Sequence, residues 1–254
     1  MAAPSAFAQA LPTETATAQV VFLGEQHDNP GHHALQADWT NALTPAALVF
    51  EMLTPEQAAA VTPQNRATQE ALSAALAWET SGWPDFAMYY PIFAAAPDAA
   101  IYGAGVPREQ VRALMEAPLE EALGVQDAQR FGLDAPLPPE HQNQREELQR
   151  IAHCDALPKD LLPMMVSVQR LRDAVLARTA LQALRDTGGP VVVITGNGHA
   201  RADWGAPFLL QQASPDTAVF SIGQGEGGRM PDGGFDSTVD GSEVNRGDPC
   251  DAFR

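Results

Sequence analysis

Five short apolar runs divide the chain, and each is followed directly by a glycine or a polar residue. None of them alternates apolar with polar residues, which is the pattern of a strand with one solvated face. A continuous apolar run of this length is typical of a strand buried on both faces, as in a parallel sheet. The runs predict strands at 18–23, 47–50, 99–102, 191–194 and 218–222.

Segments with helical periodicity lie between the predicted strands. Residues 30–43 place apolar side chains four residues apart, and residues 159–187 carry a longer amphipathic pattern that Gly188-Gly189-Pro190 ends. The sequence Thr54-Pro55-Glu56-Gln57 has a Thr cap, Pro in the first turn and Gln three residues on, which indicates a helix start. Alternating strands and helices predict an α/β fold, with a mainly parallel central sheet and helices on both faces.

The domain organisation follows from the same pattern. A chain of 254 residues suits one large domain, or one domain with an insertion. We assign residues 18–222 to the α/β domain. Residues 108–157 show no strand pattern, so we expect a helical insertion that caps the C-terminal edge of the strands. Residues 1–17 are expected to be a signal remnant or a disordered start, and residues 223–254 an irregular C-terminal tail.

The net charge, the N-terminal residues and the two cysteines indicate where the protein is located and which partners it does not bind. The net charge of −17 repels phosphate backbones, so nucleic acid is not an expected partner. The small residues Ala2 to Ala10 resemble the end of a secretory signal and favour export, although no basic segment precedes them. In an exported protein Cys154 and Cys250 would form a disulfide, and otherwise they are two free thiols.

Polar side chains follow three of the predicted strands at the point where each strand ends. Glu25 and His27 follow the first, Glu51 follows the second, and His199 follows the run at 191–194. Ligands of open α/β sheets bind at the carboxyl ends of the strands. If the strands are parallel, these four side chains meet at one edge of the sheet.

Two imidazoles and two carboxylates support two kinds of chemistry. Glu25, His27, Glu51 and His199 can hold a divalent metal such as zinc or manganese, or they can carry out acid–base catalysis without a metal. Taken singly, a histidine after a strand is more often a capping or hydrogen-bonding residue, and a glutamate there is often only solvated, so the prediction depends on their recurrence after three strands. His32 and His33 form a second cluster near the same edge, and His153 lies beside Cys154.

The main concentration of aromatic residues lies at 83–93 and includes Trp83, Tyr89 and Tyr90. Such a segment serves either as core packing or as one wall of an apolar pocket.

Four segments resemble the ChaN-type haem-binding uptake family of the Tiki-like superfamily. They read VVFLGEQHDNPGHHALQ, LVFEML, SGWPDFAMYYPIF and VVVITGNGHARADWGAP, and the resemblance extends over nearly the whole chain, from Val20 to Cys250. It implies an α/β fold with a helical insertion, location in the periplasm or cell envelope, and haem binding with a role in iron acquisition.

The resemblance also implies an arrangement of haem. In this family two haems stack face to face within a dimer, and a tyrosine of one subunit ligates each iron. A homodimer and an outer-membrane haem receptor system are therefore expected partners. The tyrosines here are Tyr89, Tyr90 and Tyr102, and none stands in the stretch before Ala152-His153-Cys154. Either the iron ligand differs in this chain or haem binding is absent.

The remaining haem-site candidates are side chains that can line a flat apolar pocket or pair with propionates. Those singled out first are Trp83, Tyr89, Tyr90, Arg170 and Asp173, with Met164, Met165, Arg145, Arg150 and Arg172 in support. The wider superfamily, which includes Tiki-type metalloproteases and erythromycin-esterase-like hydrolases, is similar in its two Gly-x-x-His segments and its strand-end Glu. The sequence thus predicts an exported haem-binding protein, with a metal-dependent or His/Glu-based hydrolase as the alternative.

Overall fold

The computed structural model describes residues 9–114, 117–248 and 250–251. Six parallel strands form one sheet in the order β3-β2-β4-β1-β5-β6. The strands are β1 (Val20–Glu25), β2 (Ala47–Phe50), β3 (Ala100–Gly103), β4 (Val191–Gly196), β5 (Val219–Glu226) and β6 (Ser237–Gly241). The α/β fold with a parallel central sheet is therefore confirmed.

The helices alternate with the strands and also fill the insertion. They are α1 (Pro30–Leu43), α2 (Pro55–Ala59), α3 (Gln69–Ala75), α4 (Phe86–Ala95), α5 (Arg108–Ala113), α6 (Leu119–Leu123), α7 (Val125–Arg130), α8 (Pro139–Ala152), α9 (Leu162–Thr187) and α10 (Ala206–Ala213). Within the described residues, no helix is both long enough and apolar enough to cross a membrane.

Local sequence explains where these helices begin and end. The side chain of Asn29 accepts hydrogen bonds from the amides of Gly31 and His32 and so caps α1. Thr54 and Gln57 form the expected capping box at the start of α2. Gly188 ends α9 with a φ of 80°, a left-handed conformation that glycine adopts without strain.

The two faces of the sheet are buried under different helices. Successive strand residues point to opposite faces, so Val21 and Leu23 pack with the aromatic residues of α4 and with Trp39 of α1. Val20 and Phe22 belong to the other core, which is formed with α9 and α10. Helices therefore cover both faces of the sheet, and the candidate functional side chains lie at the strand ends.

The register of the sheet aligns those ends. Glu25 of β1 lies opposite Gly196 of β4, and Phe50 of β2 lies opposite Ile194. Glu51, the residue after β2, therefore leaves the sheet level with Thr195 and Gly24, one residue before Glu25. In the described part of the insertion the regular elements are helices, joined by turns and irregular segments, and α8 packs along α9 beside this edge.

The C-terminal segment differs from the irregular tail expected after residue 222. Strand β5 continues to Glu226, and Ser237–Gly241 forms the edge strand β6. The sequence of β6 gives no apolar run, because Val239 is its one apolar residue. A short, polar edge strand is held by backbone pairing rather than by burial.

The N-terminal segment is described only in part. Residues 1–8 of the expected signal remnant lie outside the described residues, and Thr13–Thr17 forms a 3₁₀ turn.

Two links fasten the C-terminal segment to the rest of the molecule. The sulfur atoms of Cys154 and Cys250 lie 2.00 Å apart, which joins the end of the insertion to the C-terminal segment. The guanidinium of Arg246 forms ion pairs with Asp28 and Glu226, which stand near the ends of β1 and β5. The segment thus runs past the carboxyl edge of the sheet.

Candidate functional site: a buried His/Glu cluster between two clefts

The structure brings the four strand-end residues Glu25, His27, Glu51 and His199 together. His27 Nδ1 lies 2.8 Å from Glu25 Oε1. Glu51 Oε1 lies 4.0 Å from His27 Nε2 and 3.6 Å from His199 Nε2. These residues come from three separate strand ends, and the parallel register is what makes them neighbours.

Gly196 leaves the space that the cluster occupies. A Cβ atom at this position would lie 2.9 Å from His27 Nε2 and 3.7 Å from Glu51 Oε2. Any side chain at 196 would therefore displace the His27 ring. The glycine of this second Gly-x-x-His segment is required by close approach, and not only by the turn.

Glu51 is held as a buried carboxylate. Its Oε2 accepts hydrogen bonds from Thr195 Oγ1 at 2.6 Å and from the amide of Gly196 at 2.8 Å. Burial alone would raise the pKa of Glu51, but the charges of His199 and His27 outweigh it and lower that pKa to about 2. Glu51 is therefore the fixed negative charge between the two imidazoles.

Asp173 of α9 is the partner of His199. Its Oδ1 lies 2.6 Å from His199 Nδ1, and burial raises the pKa of Asp173. Burial would lower the pKa of His199, but Glu51 and Asp173 together raise it. The sequence predicted Asp173 as a ligand-contacting residue and missed this pairing, since a lone Asp within an amphipathic helix gives no signal of its partner.

Glu25 gathers a second set of side chains. The hydroxyl of Tyr89 donates to Glu25 Oε1 at 3.0 Å, and His33 Nδ1 lies 3.3 Å from Glu25 Oε2. Tyr89 and His33 are both fully buried. Tyr89 therefore belongs to the core and has no surface available to a ligand, contrary to its place among the predicted haem contacts.

His27 is the most open member of the cluster. Its side chain is 33% exposed, and its ring packs 4.8 Å from the indole of Trp83. Burial would lower the pKa of His27, but Glu25 and Glu51 together raise it.

His32 has a structural role instead. Its Nδ1 accepts from the amide of Gln26 at 2.9 Å, and its Nε2 lies 3.0 Å from the carbonyl of Gly225. Burial lowers the pKa of His32, which agrees with a neutral ring that donates to this carbonyl. His32 therefore ties the end of β1 to β5.

Two clefts flank the cluster. The larger cleft has a volume of ≈ 510 Å³ and lies between α8 and the ends of β1, β4 and β5. His199 and Asp173 contribute to its floor. The smaller cleft, of ≈ 420 Å³, is lined by Glu51, Trp83 and Arg172 among others. The His/Glu cluster therefore faces a cavity on each side.

The other predicted ligand contacts lie outside the larger cleft. Trp83 lines the smaller cleft, and the Tyr90 hydroxyl donates to the carbonyl of Ala67 at 3.1 Å. Arg170 donates to two carbonyls of the insertion, those of Gly132 and Ala135. Among the arginines named from the sequence, Arg145 is the one that lines the larger cleft.

Comparison with known proteins identifies the family. The family model described as "Haem-binding uptake, Tiki superfamily, ChaN" matches residues 11–210. The chain belongs to the ChaN family of haem-binding uptake proteins. The resemblance seen in the sequence is thereby confirmed.

Two solved structures are similar to this chain over most of its length. The structure "Cofacial heme binding to ChaN of Campylobacter jejuni" is 20% identical, covers 86% of this chain and 85% of that one, and gives a TM-score of 0.66. The type III effector HopBA1 is 14% identical, with coverage of 89% and 88% and a TM-score of 0.48. No curated protein matches significantly.

Proposed function

We propose that this ChaN-family protein binds haem in the larger cleft. The observation that carries the proposal is an apolar wall beside a cavity of suitable size. Leu148 and Ile151 of α8 and Val166 of α9 line the cleft, whose volume of ≈ 510 Å³ lies in the range of small-molecule sites. The Ile151 side chain is 57% exposed, so it offers apolar surface to a ligand in the cleft.

The apolar lining supports a site for the porphyrin ring, but it does not identify an iron ligand. No tyrosine lies among the described residues that line the larger cleft. His199 lines it, but its Nδ1 is bonded to Asp173 and its Nε2 faces Glu51. We therefore propose the site for the ring and assign no residue to the iron.

Titration with hemin tests the proposal. We expect a Soret band that shifts and saturates near one haem per chain, because we propose one site, the larger cleft, in each chain. A titration without a spectral shift, or one that never saturates, would contradict haem binding. Elemental analysis of the same purified sample measures any other metal.

We further propose an exported protein that acts in iron acquisition, with an outer-membrane haem receptor system and a second copy of the chain as partners. The Cys154–Cys250 link supports export, because disulfides persist in oxidising compartments. Cell fractionation and light scattering test location and dimerisation. A cytoplasmic protein with reduced cysteines would contradict export, and a monomer with haem bound would contradict dimerisation.

A His/Glu-based or metal-dependent hydrolase is the second candidate, and the Asp173–His199–Glu51 chain favours it. In acid–base and metal sites, a carboxylate often hydrogen-bonds one ring nitrogen of a histidine and so orients the other ring nitrogen towards the substrate or metal. His27 repeats it with Glu25. The donor atoms for a cation would be His27 Nε2, Glu51 Oε1 and His199 Nε2.

The spacing of those donors can be compared with a metal site. Two ligands of a tetrahedral zinc are about 3.4 Å apart, whereas the separations here are 3.6 and 4.0 Å. Within the described residues, no group of three or more His, Cys, Asp or Glu side chains is already spaced as a metal centre. A cation would require the cluster to contract slightly.

Metal analysis separates the two candidates. The hydrolase reading predicts a stoichiometric divalent metal that is lost in both His27→Ala and His199→Ala. A metal-free protein that is inactive in a broad hydrolase screen would remove this candidate and leave the haem proposal standing.

A further inference from the structure

The guanidinium of Arg145 has no hydrogen-bond or ion-pair partner among the described residues. Arg145 lies on α8 and lines the larger cleft. Its Nε is buried and makes no hydrogen bond. A buried donor without a partner costs free energy, and a partly buried charge costs more. Such a group needs an explanation in the folded structure.

The nearest carboxylates are already engaged elsewhere. Asp173 is bonded to His199 at 2.6 Å, and Asp203 forms two hydrogen bonds with Arg201 at 2.6 and 2.8 Å. Although burial lowers the pKa of Arg145, a guanidinium remains charged in proteins. Arg145 is therefore a free positive charge inside the cleft of a chain whose net charge is −17.

The indole of Trp204 fixes the position of this charge. Arg145 Cζ lies 5.0 Å from the centre of the Trp204 ring, and Arg201 Cζ lies 3.5 Å from it. Contacts of this kind hold a guanidinium in place. A pre-positioned guanidinium presents a planar fork of N–H groups that matches a carboxylate with two parallel hydrogen bonds.

We infer that Arg145 is the carboxylate anchor of the larger cleft, so that the cleft selects flat, apolar ligands that carry a free carboxylate. The inference rests on the proposed function, in which the haem propionates are these carboxylates. The strongly acidic chain repels a dianionic ligand at long range, and the free cation offsets that repulsion where the ligand binds.

Porphyrins with and without free carboxylates test the anchor. Hemin, hemin dimethyl ester and iron-free protoporphyrin IX are titrated into the unmodified protein and into Arg145→Gln. We expect the substitution to weaken the binding of hemin and of protoporphyrin roughly tenfold to a hundredfold, which is the range for a charged hydrogen bond. The affinity for the ester should stay unchanged. Arg150→Gln is the matched control, because Arg150 lies on the same helix, pairs with Glu147 and does not line the cleft.

Each outcome separates the anchor from the haem proposal. Equal weakening of hemin and its ester, or hemin binding unchanged by Arg145→Gln, would overturn the anchor and leave haem binding intact. Carboxylate-dependent binding of protoporphyrin without hemin binding would overturn the haem proposal and keep the anchor. If no porphyrin binds, both the anchor and the haem proposal fail.

Thermal melting checks that the variants fold. Arg145→Lys, which keeps the charge without the planar fork of N–H groups, should bind hemin with intermediate affinity.

Discussion

At the scale of single residues, Glu25 organises the buried part of the site. Its Oε1 accepts from Tyr89 and contacts His27 Nδ1, while its Oε2 lies close to His33. Glu25 is 1% exposed. A carboxylate buried to this degree is stable only when such partners surround it, so removing one of them should weaken the fold.

The first prediction concerns Tyr89→Phe, which deletes the hydroxyl that donates to Glu25. We expect a loss of about 1–3 kcal/mol in the free energy of unfolding, measured in urea, because the acceptor is a buried charge. Tyr90→Phe is the control, since its partly exposed hydroxyl bonds a backbone carbonyl. Equal stability of the two variants would contradict the role given to Tyr89.

The second prediction concerns Gly196→Ala. The new methyl group would meet His27 Nε2 at 2.9 Å, so we expect a displaced His27 ring and a loss of about 1–3 kcal/mol. Gly198→Ala adds the same methyl group where no atom lies within 4 Å. An unchanged His27 resonance in Gly196→Ala, observed by NMR, would show that the close approach is not restrictive.

The sequence predicts the strand-end residues better than their partners. Glu25, Glu51 and His199 follow apolar runs, so a parallel sheet is enough to place them at one edge. Asp173 and Tyr89 reach the cluster from α9 and α4, and their part in it depends on helix rotation and packing. No local pattern in a single sequence encodes that rotation.

At the scale of elements, the sheet and the long helices follow from apolar periodicity, whereas β6 does not. Strand β6 is polar and joins the sheet by pairing with β5, so its position depends on the rest of the fold. The same is true of α8, because its apolar residues line the cleft only when the helix packs beside the strand ends. The sequence therefore predicts the insertion but not the cleft that it forms.

The third prediction concerns the link between α8 and the C-terminal segment. Cys154 and Cys250 are separated by 96 residues, and closing a loop of this length stabilises a fold by up to about 4–5 kcal/mol in the chain-entropy model. We expect Cys154→Ser, Cys250→Ser and the double variant to lower the unfolding midpoint to a similar degree.

Reduction of the unmodified protein should give the same decrease in the unfolding midpoint, and reductant should not affect the double variant. If neither substitution of the cysteines nor addition of reductant changes the unfolding midpoint, the disulfide does not constrain the unfolded chain.

At the scale of the whole molecule, the cluster couples stability to pH. The pKa of Glu51 falls from 4.5 to about 2 on folding, so its contribution is present above pH 4.5 and is lost as the pH falls towards 2. The pKa values of His27 and His199 are raised above 6.5, so their contribution is present below pH 6.5 and is lost as the pH rises through the raised values.

The fourth prediction follows from this coupling. The difference in unfolding free energy between the unmodified protein and Glu51→Gln should be greatest between pH 4.5 and 6.5 and should shrink on both sides. Other titrating groups, such as His32, affect both proteins and largely cancel in the difference. Urea unfolding across the pH range measures it, and a difference independent of pH would contradict the charged His–Glu–His arrangement.

The central claim is that the larger cleft of this ChaN-family protein holds haem against the apolar face of α8. Hemin titration of Ile151→Glu and Val125→Glu tests it most directly, because the two side chains are equally exposed, at 57% and 59%, and only Ile151 lines the cleft. We predict that Ile151→Glu weakens hemin binding roughly tenfold or more, the equivalent of one lost apolar contact, while Val125→Glu binds as the unmodified protein does. Equal affinity in all three proteins would contradict the claim.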